Sequence, residues 1–121
     1  MNINVLAEEF CVCKLASTKG VDLDKNFTFI SKTDEEVSLV CPIKDVTGEV
    51  MEREDGWRAF RVQGQLDFSL IGIIAKISQV LASEHIGIFV ISTFNTDYVL
   101  VKGERLDDAI KALEGICFVN S

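Results

Sequence analysis

An α+β architecture, with two helices on one face of an antiparallel sheet, is the fold class that this sequence predicts. Three observations in its second half support the prediction. Apolar residues recur every three or four positions over 70–81, as on the buried face of an amphipathic helix. Two apolar runs, 86–91 and 97–102, flank a short polar connection, as in paired strands. A second helical stripe starts near Leu106 and stops at Gly115. With a strand at each end, the order becomes β-α-β-β-α-β, which is the ferredoxin-like unit.

The first half predicts strands and little helix. Its predicted strands cover residues 10–15, 27–31 and 37–41. Thr33 and Glu36 have the spacing of a capping box, but the alternation that follows them fits a strand better than a helix. Residues 43–56 carry mixed charge and two glycines without periodicity, and therefore predict a connection. No residue-by-residue repeat between the halves is evident.

The second half opens on a strand and contains the two predicted helices. We predict a strand over 57–62, helices over 68–83 and 105–114, paired strands over 86–91 and 97–102, and a last strand over 116–119. Asp67 or Ser69 can cap the first helix, and Gly72 lies within its first two turns. We expect two units, a reduced one over residues 1–56 and a complete one over residues 57–121.

The charge of the chain argues against nucleic acid and membranes as partners. The formal net charge is −7. Residues 1–56 carry twelve acidic and six basic side chains, a net of −6, whereas residues 57–121 carry seven and six, a net of −1. The acidic excess therefore belongs to the first half, where it serves solubility or a basic partner.

The cysteines and the first residues predict a cytoplasmic protein. The first residues lack the basic and apolar regions of a signal peptide, and no apolar run has the length of a membrane span. We therefore expect four reduced, buried thiols, which are Cys11, Cys13, Cys41 and Cys117. The sequence contains no C-x-x-C pair, and His85 is its only histidine. We therefore expect neither a metal site nor a cofactor.

Several segments together resemble the ACT domain family, a family of small ligand-binding modules that regulate amino-acid metabolism. These segments are 29–35, 37–42, Trp57, 67–72 and 92–101. The last of them reads Ser-Thr-x-x-Thr-Asp-Tyr-x-Leu-Val and is the most specific. The resemblance is strongest to the stand-alone subfamily with two ACT units and to the ACT repeats of the cytosolic arginine sensor of the TOR pathway.

The resemblance implies a tandem of two ACT-like units, the first reduced, that acts as a non-catalytic sensor. It implies a free amino acid bound where the units meet, and a homodimer. Carried over residue by residue, the implied ligand-binding residues are Ser69, Gly72, Thr93, Asn95, Thr96 and Asp97. The segment 69–72 departs from the Asn-x-Pro-Gly sequence that commonly opens the first ACT helix.

Elementary electrostatics gives these positions plausible roles. The first N–H groups of a helix lack partners and attract an anion, so the start of the first helix can hold an α-carboxylate. Asp97 can accept hydrogen bonds from an ammonium or guanidinium group. Two alternatives stay open at this stage: Asp67 can cap those N–H groups itself, and Asp97 can be an ordinary turn residue.

Two other classes of function are alternatives, an enzyme and a ligand-free interaction module. The segment Arg61-Val62-Gln63-Gly64, with Phe68 after it, is similar to the phosphate loop of acylphosphatase. That loop needs an arginine after the phenylalanine, and here Ser69 stands in that place. His85 has no evident nucleophile beside it in the sequence, so we predict that the protein is not an enzyme. The remaining alternative is a ligand-free interaction module that pairs sheet edges and dimerises.

Overall fold

The computed structural model describes residues 2–63 and 72–120. Seven strands and two α-helices form within these residues. In chain order they are β1 (Asn2–Leu15), β2 (Phe29–Lys32), β3 (Val37–Pro42), β4 (Val50–Val62), α1 (Ile73–Ser83), β5 (Phe89–Ser92), β6 (Asp97–Lys102), α2 (Leu106–Leu113) and β7 (Phe118–Asn120). Single 3-10 turns follow β3 and β6, at Ile43–Asp45 and Gly103–Arg105. The α+β fold class and the predicted order β-α-β-β-α-β of the second half are confirmed.

Two strands are longer than predicted. β1 begins at Asn2 rather than near residue 10, and β4 begins at Val50, inside the segment predicted as a connection. Residues 50–55 are all exposed, so this part of β4 has no buried face and shows none of the apolar alternation that marks a strand. The prediction of a connection over 43–56 is therefore wrong for its second half.

The chain divides into two compact units. The larger unit combines Met1–Ala7 with Arg58–Ser121, and the smaller unit is Glu8–Trp57. β1 and β4 each contribute residues to both units. The division into an ACT-like unit over 1–56 and an ACT domain over 57–121 stays a prediction.

In the larger unit the strand order is β5-β6-β4-β1-β7. β5 and β6 pair antiparallel, whereas β7 runs parallel to β1, with Asn2 to Asn4 opposite Phe118 to Asn120. The prediction of an antiparallel sheet is therefore wrong for one pair of strands, β1 and β7, which run parallel. The start of β1 lies between β4 and β7. The Asn4 side chain links β7 to the residue that follows β4, because its amide N–H donates to Gln63 and its amide oxygen accepts from Asn120.

Both helices bury their apolar stripes against the sheet of the larger unit. Ile77 and Leu81 of α1, with Ala109 and Leu113 of α2, are buried in a core cluster. The strand members of that cluster are Ile3, Phe60, Val62, Val99 and Val101. The stripe predicted over 70–81 is confirmed from Ile73 onward, and Leu70 lies outside the described residues.

The first helix starts later than the predicted residue 68. Gly72 is its N-cap residue and has a φ of 87°, in the left-handed region, so α1 begins at Ile73. Residues 68–71 lie outside the described part of the chain. Gly72 therefore stands at the entrance of the helix and not within its first turns.

The only histidine of the sequence, His85, lies just after the C-terminal end of α1. His85 has a φ of 58° and donates its N–H to the carbonyl of Ala82, while Ile86 N–H donates to the carbonyl of Leu81, both at 2.9 Å. These are the two hydrogen bonds of a Schellman motif, with the left-handed position that usually holds glycine occupied by His85. β5 consequently starts at Phe89 and not at Ile86 as predicted.

Replacing His85 with glycine is therefore expected to raise the free energy of unfolding by about 1 kcal/mol, because glycine adopts this backbone conformation without steric cost. His85→Ala is the matched control, since it removes the imidazole and keeps the strain, and it should give no such gain. Urea unfolding of the three proteins measures the difference. Equal stabilities for His85→Gly and the unmodified protein would contradict this account of the helix end.

The smaller unit is formed by β2, β3 and β1 in that order, with β4 on the other side of β1. No α-helix forms in residues 8–57, all of which the structure describes. Its core instead consists of Cys11, Cys13, Leu15, Val37, Leu39 and Cys41, with partly buried Val21, Ile30, Ile43 and Val46 packed against them. Loop and turn residues thus take the place of helices.

Candidate ligand-binding site

The hairpin between β5 and β6 contains four of the six predicted site residues. Thr93 closes its turn: the Thr93 N–H and hydroxyl both donate to the carbonyl of Thr96, at 2.8 and 2.9 Å. The Thr96 N–H donates back to the Thr93 hydroxyl oxygen at 3.3 Å. The Thr93 side chain therefore stabilises the turn, and its hydroxyl hydrogen is already engaged.

Thr96 attaches this hairpin to the end of β4. Its side chain is buried, and its hydroxyl donates to the carbonyl of Val62 at 2.8 Å. Val62 is the last residue of β4, ten residues before Gly72 at the start of α1. The hydrogen bond therefore attaches the hairpin to the last residue of β4.

Asp97 is a buried carboxylate with a neutral partner. It is the first residue of β6 and lies opposite Ser92, the last residue of β5. Only 8% of its surface is exposed, and its Oδ1 accepts a hydrogen bond from the Ser92 hydroxyl at 2.5 Å. It forms no ion pair with any residue in the described ranges. A buried carboxylate costs several kcal/mol unless a cation or several donors compensate it, so its position requires an explanation.

The tip of the turn is open to solvent. Phe94 is 94% exposed and Asn95 is also exposed. The Asn95 side chain makes no hydrogen bond to residues that the structure describes. Its amide can therefore both donate to and accept from a bound molecule.

Gly72, a fifth predicted site residue, is the N-cap residue of α1. Among the described residues no side chain caps the helix there, and none in its first turn is acidic. A β-carbon placed on Gly72 would likewise have no neighbour within 4 Å in the described part of the chain. Ser69 and its competitor Asp67 lie outside the described residues, so their contributions stay predictions.

The smaller unit contains a second hairpin of the same construction, sixty residues earlier. Thr33 N–H donates to the carbonyl of Glu36 at 2.9 Å, and Glu36 N–H donates to the Thr33 hydroxyl at 3.1 Å. Thr33 and Glu36 correspond to Thr93 and Thr96, so the hairpins repeat although the sequences around them do not.

The two hairpins differ in the pair of strand residues that flanks the turn. Val37, buried to the same degree at 9% exposure, stands in the place of Asp97. Lys32, which lies opposite Val37, stands in the place of Ser92. A threonine thus suffices to close the turn, and a carboxylate at the first position of the second strand is not required by the fold.

Ser92 contacts the candidate site through its hydrogen bond to Asp97, and the sequence analysis did not predict this contact. Its position is evident only from the register of β5 and β6, which places it opposite Asp97. The polar connection 92–97 contained the signal, but its spacing alone does not say which side chains meet across the strands.

All four cysteines are free and buried. Cys11 and Cys13 are buried with their Sγ atoms 3.2 Å apart. Burial, with neighbouring Cys13 and Asp45, raises the pKa of the Cys41 thiol to about 11. Burial likewise raises the pKa of Cys11 and of Cys117. Such thiols stay protonated at neutral pH, and no set of three or more metal-ligating side chains is found in residues 2–63 and 72–120.

A groove of about 390 Å³ lies elsewhere in the larger unit, between the end of α2 and β7. It is lined by Ile110, Glu114, Cys117, Phe118, Val119 and Asn120. None of the predicted ligand-binding residues lines it.

Sequence comparison defines the class of protein. The ACT domain family model matches residues 52–115, which is more than half of the 121 residues. The chain therefore belongs to the ACT domain family, a family of regulatory modules. Neither described helix has the length and apolar sequence that a bilayer crossing requires.

Among curated relatives, the chain is similar to proteins named cytosolic arginine sensor for mTORC1 subunit 1. Those from Homo sapiens and Bos taurus are 41% identical over 59 residues, which is 48% of this chain. The matched segment is 18% of each relative, so the chain spans less than a fifth of their length.

Solved structures extend the similarity over nearly the whole chain. A crystal structure from Agrobacterium tumefaciens has a TM-score of 0.85 and 28% identity, covering 98% of this chain and 90% of that one. The ligand-free regulatory subunit of aspartate kinase from Thermus thermophilus has a TM-score of 0.64 and 11% identity, covering 93% and 95%. At 11% identity the likeness concerns the fold alone.

Proposed function

We propose that this protein is a non-catalytic regulatory domain that binds a free amino acid through the hairpin between β5 and β6. The observation that carries the proposal is Asp97, a carboxylate buried without a cationic partner in the described chain. The first hairpin fills the same position with Val37, so the carboxylate serves something other than the fold. A ligand cation would supply the missing charge.

The proposed roles of the other residues follow from their free hydrogen-bonding groups. The N–H groups at the start of α1, beside Gly72, hold the ligand carboxylate through helix-end electrostatics. Asn95 orients the ligand, and the hydroxyl oxygens of Thr93 and Thr96 act as acceptors because their hydrogens are already used. Ser69 is proposed to contribute at the helix start.

The ligand class follows from the charge of Asp97 and from the relatives. Asp97 selects an amino acid whose ammonium or guanidinium group reaches the hairpin, and the curated relatives are named arginine sensors. We therefore take L-arginine as the first candidate and L-lysine as the second. The name of those relatives supports a cytoplasmic location for this protein. We further propose that it is a homodimer and takes no cofactor. A ligand between its two ACT-like units stays a prediction.

A thermal-shift screen of the purified chain against the twenty amino acids tests the proposal, with calorimetry on every compound that raises Tm. A ligand at a hundred times its Kd stabilises the native state by about 2.7 kcal/mol, which raises Tm by several degrees. We expect L-arginine or L-lysine to do so. If no amino acid raises Tm, the proposed ligand site is refuted, and a rise in Tm on mixing with a partner protein would then favour the ligand-free interaction module.

A further inference from the structure

The Ser92 hydroxyl donates a hydrogen bond to the Asp97 carboxylate. Ser92 and Asp97 are direct neighbours across β5 and β6, and Ser92 Oγ lies 2.5 Å from Asp97 Oδ1. The carboxylate has no hydrogen to give, so the serine donates its single hydroxyl hydrogen. The bond engages Oδ1 and leaves Oδ2 available to a ligand.

No other side chain in the described ranges performs this task. Asp97 makes no second side-chain hydrogen bond there, and the neighbouring Thr96 hydroxyl is directed to the carbonyl of Val62. Without Ser92 the carboxylate could change rotamer in the empty site, and the ligand would then have to order it on binding.

The two hairpins differ at both of the facing strand positions that flank the turn. In the smaller unit Lys32 lies opposite Val37, and in the larger unit Ser92 lies opposite Asp97. The hydroxyl is therefore found where the carboxylate is found, while the turn-closing threonines are common to both hairpins.

We propose that Ser92 is a positioning residue, which fixes the Asp97 carboxylate and thereby raises the affinity of the site for a cationic amino acid. This inference rests on the proposed function. It adds that Ser92 acts through Asp97 and not through the ligand itself.

The test compares Ser92→Thr with Ser92→Val, two β-branched side chains of nearly equal shape that differ by the hydroxyl. Calorimetric titration with L-arginine and with L-lysine measures the affinity of each variant. We expect Ser92→Thr to bind the cation as the unmodified protein does, and Ser92→Val to bind it three- to tenfold more weakly. Ser31→Ala, which removes an exposed serine near the end of β2, is the control and should leave affinity unchanged.

The same pair is then measured in the Asp97→Ala background, where residue 97 has no side-chain acceptor for the hydroxyl at position 92. If Ser92 acts through the carboxylate, Thr and Val at position 92 should differ less than twofold there, whereas a purely structural effect of the hydroxyl would persist. A full three- to tenfold difference in that background, or none in the unmodified background, overturns the role of Ser92 alone. Failure of the unmodified protein to bind either amino acid overturns the proposed function as well.

Discussion

Replacing Asp97 with asparagine is expected to lower the affinity for the cationic amino acid by roughly tenfold to a hundredfold while leaving the fold intact. Asparagine keeps the shape of the side chain and its ability to accept from Ser92, and removes the charge. A charge-assisted hydrogen bond contributes about 1.5–3 kcal/mol, which corresponds to that range of affinities. Isothermal titration calorimetry with L-arginine and L-lysine measures the change.

Asp34→Asn is the matched control for this prediction. Asp34 is exposed in the turn of the first hairpin, so its replacement changes the net charge of the protein by the same amount away from the site. Its affinity should equal that of the unmodified protein. An Asp97→Asn protein that binds its best ligand as tightly as the unmodified one would identify Asp97 as a turn residue and refute the proposed site.

Replacing Asp97 with valine is expected to stabilise the empty protein and abolish its response to ligand. The substitution installs the side chain that the first hairpin carries at this position, Val37, and removes a buried charge. Replacing a buried ion pair by apolar side chains of similar volume is often neutral or stabilising, by roughly 1–4 kcal/mol, and because Asp97 has no cationic partner among the described residues we expect a gain of about 1–3 kcal/mol here. Urea unfolding measures the gain, and the thermal-shift assay measures the lost response.

The reciprocal change, Val37→Asp, is the control in the first hairpin. It buries a carboxylate opposite Lys32 in place of an apolar side chain. Because burying a charged group costs free energy, this change should lower the free energy of unfolding. If Asp97→Val destabilises the empty protein as much as Val37→Asp does, the carboxylate has a structural role that the repeat comparison fails to reveal.

The sequence predicted those elements whose periodicity comes from burial. The stripe over 70–81 identifies α1 because Ile77 and Leu81 must face the sheet. β3 and β6 are recognisable for the same reason, since most of their residues are buried. The sequence likewise indicates the polar connection 92–97 as a candidate site.

Features set by pairing or by backbone conformation were not predictable in this way. The first part of β4 is exposed and charged, and the parallel pairing of β7 depends on residues 2–4 at the other end of the sequence. The register that brings Ser92 to Asp97 belongs to the same class.

The left-handed conformation of Gly72 also changes how that residue can be tested. A β-carbon on Gly72 would have no neighbour within 4 Å among the described residues, and a φ of 87° strains any residue other than glycine. A loss of stability in a Gly72 variant would therefore report backbone strain and would say nothing about ligand exclusion. Tests of the site are better placed in the hairpin.

The parallel pairing of β7 with the first residues of β1 has a consequence for folding during synthesis. Asn2 to Asn4 find their partners only when Phe118 to Asn120 have left the ribosome, more than a hundred residues later. Contacts between such distant parts of a chain are slow to form, because the entropy of closing the loop is lost before the contacts are gained. The edge of β1 that receives β7 consequently stays open while the rest of the chain emerges. During that interval it offers an unpaired strand edge to other nascent chains, a hazard that ends only when β7 closes it.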